Sequence, residues 1–350
     1  MKRALTAFCV LLVGVVHAGT MPGTGGPARV DPGSAVGNLA IRAVPGSAGV
    51  DSISGNTVEV HFFHNNQPLH KVTGTLNEMG LMVVNDVPVG FGVRPLVRIE
   101  HDGVTYQEAG PVMDASNPDA SIEVTVFETT PVAPAWRVVS RQVIVTPADD
   151  RLLVSESVFV ENPNDRTWLG SDEASNGKLT TIELTLPERT ENITLHAGFH
   201  GWCCTTFESG TLGVQMPLMP GRYNYQFTYE VLSEDGTGTL SVGAPAETTE
   251  LAMIVPESGI TAQANGLEAG SVQMTEQGPL RLYTGREVAA GVRPSITLTG
   301  LPTAPSPAAR VDEPAPAPAP NDGPGSTVLI FLVGVVVVGI AAVLILRRSA

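Results

Sequence analysis

The sequence predicts an all-β protein: two or three tandem β-sandwich modules held outside a membrane by one C-terminal transmembrane helix. Three observations predict it. Short stretches alternating Val, Thr, Ile and Leu recur along the chain, separated by turn residues every eight to twelve positions. Glycine (37) and proline (28) make up nearly a fifth of the 350 residues, and no amphipathic helical run lies between the two ends. The long apolar runs sit at those ends, where one reads as a signal peptide and the other as a membrane span.

The ends set the expected topology. Residues 1–18 carry Lys2 and Arg3, then an apolar run from Ala4 to Val16, then Val16-His17-Ala18 with small residues at the −3 and −1 positions of a cleavage site. Cys9 lies inside the apolar run without the small residues a lipid attachment site needs before it. At the other end, residues 326–346 are the predicted transmembrane helix. Thr327–Leu346 contains no charge, proline or amide. At 1.5 Å per residue it reaches about 30 Å, the thickness of a hydrocarbon core. Arg347 and Arg348 then place the tail, 347–350, in the cytoplasm and the body outside, as a single-pass type I protein. The body is then expected in the periplasm or at the cell surface.

The chain carries 20 Lys and Arg against 35 Asp and Glu, a formal net charge of −15. Lys2, Arg3, Arg347 and Arg348 lie in the terminal segments, so the body is more acidic still, at −19. That excludes nucleic acid and anionic lipid surfaces as partners for the body.

Between the ends the pattern divides. Residues 19–52 read as a Gly/Pro-rich arm with a first strand at Asn38–Val44. From Thr57 the alternation sharpens, with Val58, Val60 and Phe62 on one face, and strands continue through Lys71–Leu76, Leu81–Val84, Val93–Glu100, Thr105-Tyr106 and Ile122–Glu128. Within it, Val72-Thr73-Gly74-Thr75, Gly80-Leu81-Met82-Val83 and Val87-Pro88-Val89-Gly90 give a threonine-bearing strand, a turn to glycine, a further strand and a Pro-x-Gly turn. This order resembles a carboxypeptidase regulatory-like (prealbumin-like) domain over residues 53–130, within an expected module of residues 53–131. The resemblance implies a non-catalytic accessory sandwich, of a kind whose relatives often bind carbohydrate. Pro131 to Pro134 mark a boundary, and residues 132–242 read as an Ig-like sandwich without its Cys…Trp…Cys hallmark. Residues 243–302 read as a small β unit, and 303–325 as a Pro/Ala-rich stalk in extended polyproline II conformation.

One local cluster is unusual: His196, His200, Trp202, Cys203 and Cys204, around Gly198-Phe199-His200-Gly201-Trp202-Cys203-Cys204. After signal cleavage these are the two remaining cysteines, and in an oxidising compartment they are expected to react. A vicinal disulfide joins Cα atoms 3.8 Å apart, below the usual 4.4–6.8 Å, and is strained. The alternative is a soft-metal site, with His196, His200, Cys203, Cys204 and Met216 as donors suited to copper. A second group, His61, His64 and His70, surrounds the turn Asn65-Asn66-Gln67-Pro68, and His64 is its candidate ligand contact. No Gly-x-Ser-x-Gly, HExxH, P-loop or dinucleotide fingerprint occurs, and no carboxylate pair is singled out by its spacing. The expectation is therefore a protein that is not an enzyme and holds no cofactor. It would be an adhesion, binding or envelope-structural module contacting a glycan or envelope protein through Trp202, His200 and His64. The competing expectation is a membrane-anchored copper or redox accessory protein built on His200, Cys203 and Cys204.

Overall fold

The computed structural model describes residues 35–302, apart from residues 50, 51, 91, 149, 258 and 277. The expected signal peptide, stalk, membrane span and tail fall outside the described residues. No helix among the described residues is long and apolar enough to cross a membrane. Among the described residues the fold is nearly all β, and a single 3₁₀ turn, Trp202–Cys204, interrupts the strands. The chain divides into two compact units.

The first unit carries the bodies of seven strands: β1 (Val36–Pro45), β2 (Thr57–His64), β3 (Gln67–Thr75), β4 (Leu81–Pro88), β5 (Arg94–His101), β6 (Val104–Ala109) and β7 (Ala120–Val126). They form a three-stranded sheet, β4-β1-β7, and a four-stranded sheet, β3-β2-β5-β6. Period-two alternation buries one face of each: Leu39 and Ile41 on β1, Val58, Val60 and Phe62 on β2, Val97 and Ile99 on β5. The two sheets meet near Gly110, which is enclosed by Ile122 of β7 and Pro95 of β5. The turns are chemically specified. Asn65 and Asn66 at φ 48° and 62°, and Asp102 and Gly103 at 54° and 76°, give the left-handed pairs that tight hairpins require. β1 pairs along β4 from Val36↔Pro88 to Arg42↔Leu81 and is the central strand of its sheet. The first module therefore begins before residue 53, because the strand expected in the arm supplies the middle of a sheet.

The second unit contains β8 (Thr129–Thr130), β9 (Arg137–Ala148), β10 (Arg151–Asn162), β11 (Thr167–Trp168), β12 (Asp172–Glu173), β13 (Leu179–Thr180), β14 (Ile182–Thr185) and β15 (Thr190–Leu195). It continues with β16 (Thr205–Glu208), β17 (Thr211–Val214), β18 (Gly221–Leu232), β19 (Thr237–Ser241), β20 (Thr248–Pro256), β21 (Thr261–Asn265), β22 (Glu268–Thr275), β23 (Gly278–Val288) and β24 (Ser295–Thr299). A seven-stranded sheet, β15-β18-β10-β9-β20-β23-β22, shares one apolar core with two three-stranded sheets, β14-β17-β16 and β19-β24-β21. Val143, Val154 and Phe227 of the long sheet, Leu184 and Leu212 of one small sheet and Ile296 and Leu298 of the other all belong to that core. β20 lies parallel to β9, Thr248 opposite Val138 and Ile254 opposite Ile144. The expected boundary at 242/243 thus falls inside one sheet, and residues 243–302 are strands of the same unit as 132–242. Gly243-Ala244-Pro245 looks like a linker by composition, but it leads the chain from β19 to β20.

Three exposed or half-exposed carboxylates tie strands together: Glu59 with Lys71 (2.5 Å), Glu161 with Arg137 (2.6 Å) and Arg222 (2.8 Å), and Glu230 with Arg151 (2.6 Å). Each carboxyl is held below its ordinary value of 4.5, Glu59 first by the Lys71 hydrogen bond, Glu161 by Arg222, Glu230 by Asn192 and then Arg151. A carboxylate with a depressed folded-state pKa stabilises above its unfolded value, and the contribution is lost as pH falls through the folded value. The His70 imidazole, stacked on Phe62, is lowered from 6.5 by burial, so protonation favours the unfolded chain below that pH. Both effects have one sign. The melting temperature is expected to decline gently below pH 6.5 and more steeply below pH 4.5. A melting temperature at about pH 3.5 equal to that at about pH 6 would contradict this linkage.

Candidate functional site

The turn holding Trp202, Cys203 and Cys204 is built by a short loop between β15 and β16. His196 N–H donates to Gln226 O and Gln226 N–H donates to Ala197 O, both 2.8 Å, so the chain leaves β15 still bonded to β18. Gly198 then turns away at φ 89°, packed so closely on β18 that a Cβ there would lie 2.1 Å from Asn224 O. Phe199 points inward and packs edge-on against Tyr225 (5.2 Å) and Phe227 (6.0 Å). Gly201, at φ 92°, opens the 3₁₀ turn. The alternation of an anchored Phe199 with an exposed His200 is what lifts the turn off the core.

Three hydrogen bonds pin that turn. Cys204 N–H donates to Gly201 O (3.2 Å), Gln215 N–H to Cys204 O (2.9 Å), and the Lys178 ammonium to Cys203 O (2.7 Å). Lys178 belongs to the tight segment between β12 and β13, which is itself tied down by Ser175 to Glu208 (2.5 Å) and by the Asn176–Gln215 side-chain pair (2.8 Å). Lys178 and Gln215 were not nominated by the sequence, since neither falls in a motif with the cysteines.

The two thiols stand free. Their sulfurs are 3.3 Å apart, and the Cys203 thiol donates to His200 O at 3.4 Å. Cys203 is exposed and Cys204 half-buried. The Cys204 thiol is pushed above its ordinary value, first by its hydrogen bond with Cys203 and then by burial. Beside them Trp202 is 52 % exposed. The other two tryptophans are committed to the fold: Trp168 is buried and Trp136 packs against the core.

The five expected metal donors do not converge. Among the described residues no three His, Cys, Asp or Glu side chains are placed to hold a metal ion. His196 is turned to Thr228 Oγ1 (3.1 Å), and Met216 is packed against the core of the second unit. Of the set His196, His200, Cys203, Cys204 and Met216, the structure brings the two thiols together and places His196 and Met216 elsewhere. The histidine group of the first unit is likewise divided among local tasks. His61 Nε2 lies 3.3 Å from Glu59, and His70 stacks on Phe62 with ring centroids 4.5 Å apart. His64 donates from Nδ1 to Gly92 O (2.8 Å) while Nε2 accepts from Asn65 (2.9 Å), so its ring nitrogens secure the hairpin.

A cleft of about 530 Å³ lies elsewhere in the second unit, lined in part by Glu257, Ile260, Gln263, Leu267, Arg281 and Tyr283. None of the residues nominated by the sequence lines it. More telling is a buried polar group in the long sheet. Arg141 and Glu156, 1 % and 0 % exposed at their side chains, are joined Nε to Oε2 at 2.6 Å within the long sheet. The Tyr229 hydroxyl donates to Glu156 Oε1 (2.6 Å), and Arg141 Nη1 donates to Gly243 O (2.7 Å). Burial, then the Glu156 charge, holds the Tyr229 phenol well above its usual range. A signal for this group was present: Arg141 is in phase with Val143 and Val145, and Glu156 with Val154 and Val158, all core positions. Arg141, Glu156 and Tyr229 tie β9, β10 and β18 together inside the long sheet, and Arg141 also borders a narrow crevice with Val242, Gly243, Thr248 and Leu251.

No protein family model matches the chain, and no curated protein does. Among solved structures it is similar to an M1 zinc metallopeptidase from Deinococcus radiodurans, at 14% identity over 47% of this chain and 42% of that one, TM-score 0.27. A mutant of the Deinococcus radiodurans enzyme bound to a Tyr-Ser-Ala substrate gives 13% over 48% and 44%, TM-score 0.29. A two-domain M1 zinc metallopeptidase mutant bound to L-tryptophan gives 12% over 49% and 44%, TM-score 0.27. The chain spans less than half the length of these proteins, and likeness at this level assigns it no activity.

Proposed function

We propose that the chain is a non-catalytic, membrane-anchored extracytoplasmic binding protein whose contact surface is the Trp202 turn and whose ligand class is a glycan. The observation that carries the reading is the 52 % exposure of Trp202 on a turn fixed by Phe199 beneath it and by Lys178 beside it. A large aromatic held out in water is costly unless it meets a partner, and a rigid one meets it with little loss of freedom. An indole face suits the C–H face of a sugar ring, while exposed His200 and Lys178 offer polar contacts at its edge. The seven strands and glycine turns of the first unit support its assignment as a prealbumin-like accessory module. Residues 326–346 anchor the body, and residues 303–325 hold it off the surface.

The test is a glycan array probed with the intact chain, followed by titration calorimetry on any hit. Trp202→Ala is expected to weaken binding by about tenfold to a hundredfold, the 1.4–2.8 kcal/mol of a central aromatic contact, with the melting temperature unchanged. Absence of any glycan hit for the unmodified chain would dispose of the ligand class. Binding that survives Trp202→Ala undiminished would dispose of the surface, and a protein partner sensitive to that variant would replace the glycan.

A further inference from the structure

Cys203 and Cys204 are placed for thiol–disulfide chemistry in a defined order. The sulfurs are 3.3 Å apart, and since the Cys203 thiol gives its proton to His200 O, the Cys204 thiol is the donor between the two sulfurs. The Lys178 ammonium holds the Cys203 carbonyl, which fixes that residue at the surface of the turn. Cys203 is also the exposed member of the pair. Cys204, half-buried and held protonated by its hydrogen bond with Cys203, is the second to react. Closing the bond brings the sulfurs to about 2.05 Å across neighbouring Cα atoms only 3.8 Å apart, so the backbone of the turn has to twist. On the far side the twist is resisted: Thr205 pairs with Val214, and the Cys203 and Cys204 carbonyls are bound by Lys178 and Gln215. On the near side Gly201 keeps one hydrogen bond, from Cys204 N–H, and has nothing within 4 Å of where a Cβ would stand. The strain is relieved toward Trp202.

We propose that Cys203 and Cys204 form a reversible dithiol–disulfide pair, with Cys203 the nucleophile, and that closing the bridge repositions Trp202. The coupling rests on Trp202 as the contact residue; the thiol chemistry does not. The oxidant is a low-molecular-weight disulfide, RSSR. The Cys203 thiolate attacks one sulfur, the S–S bond of RSSR breaks, and RS⁻ leaves. Cys204 then gives up its proton and attacks Cys203 Sγ, expelling the second RS⁻. Two electrons pass from the dithiol to RSSR, yielding the intramolecular disulfide and two RSH.

The experiment uses the full chain with Cys9→Ser, treated with oxidised glutathione and followed by intact mass and tryptophan fluorescence. The expected product is two hydrogens lighter and carries no glutathione, and its fluorescence change disappears in Trp202→Phe. Cys204→Ser should retain one glutathione as a stable mixed disulfide, and Cys203→Ser should react at least about tenfold more slowly. Equal rates for the two serine variants would overturn Cys203 as nucleophile. A persistent glutathione adduct on the chain with both cysteines would overturn ring closure. A closed bridge with unchanged fluorescence would overturn the coupling to Trp202. Failure of glycan binding alone leaves all the mass readouts intact, so the two readings fall separately.

Discussion

Replacing Arg141 with methionine is expected to destabilise the second unit by about 3–5 kcal/mol, because it strands the Glu156 carboxylate in the core with Tyr229 as its remaining hydrogen-bond donor. Glu156→Leu alone should cost a similar amount, since it leaves the guanidinium buried against Gly243 O with its Nη2 already lacking a partner among the described residues. The informative variant is the double one. Arg141→Met with Glu156→Leu removes both charges, and buried ion pairs exchanged for apolar pairs of similar size often lose nothing. Urea titrations of the four chains close a double-mutant cycle, and a coupling of about 3 kcal/mol or more is expected. Single variants that unfold within about 1 kcal/mol of the parent would mean that water already reaches the pair.

Gly198→Ala is expected to have the second large effect, and on the site as well as on stability. A residue with a side chain at φ 89° carries roughly 1–3 kcal/mol of backbone strain, before any clash. The clash is with backbone: the new Cβ would stand 2.1 Å from Asn224 O, on a strand paired on both sides to β10 and β15. The strand has little freedom to retreat, so the loop is the part that moves. Phe199 should lose its packing on Tyr225 and Phe227, and Trp202 should be displaced with it. The variant should therefore melt earlier and, unlike Trp202→Ala, lose thermal stability and ligand binding together. A Gly198→Ala chain with the parent's melting temperature would mean that the loop is looser than its contacts imply.

The strands of the first unit were legible because local chemistry specified them. Val58, Val60 and Phe62 alternate cleanly, and Asn65-Asn66 and Asp102-Gly103 hold left-handed turns for which few other residues are suited. The second unit was legible strand by strand but not as an assembly. Nothing local to Thr248–Pro256 says that it lies parallel to Arg137–Ala148, more than a hundred residues earlier, because a parallel partner is chosen by the finished core. For the site, the sequence marked Trp202, Cys203 and Cys204 but overestimated convergence. Spacing along the chain put His196 near the cysteines, while strand pairing turned it to Thr228, and the apolar core claimed Met216. Lys178 and Gln215 reach the turn from separate connecting segments, one before β13 and one after β17, a placement that only tertiary structure creates.

The position of β20 also sets an order of events during synthesis. The β9–β10 hairpin closes through a two-residue connection and can form as soon as it emerges. The other long edge of β9 has no partner until Thr248–Pro256 has been made, and β20 in turn is flanked by β23, which arrives later still. Until then the chain presents an uncovered strand edge rich in valine and isoleucine, the kind that pairs with other chains. A nascent or exported chain of this design is thus exposed to aggregation over about a hundred residues of growth. Truncations ending near residue 242 should accumulate as insoluble material and not as a shorter folded module.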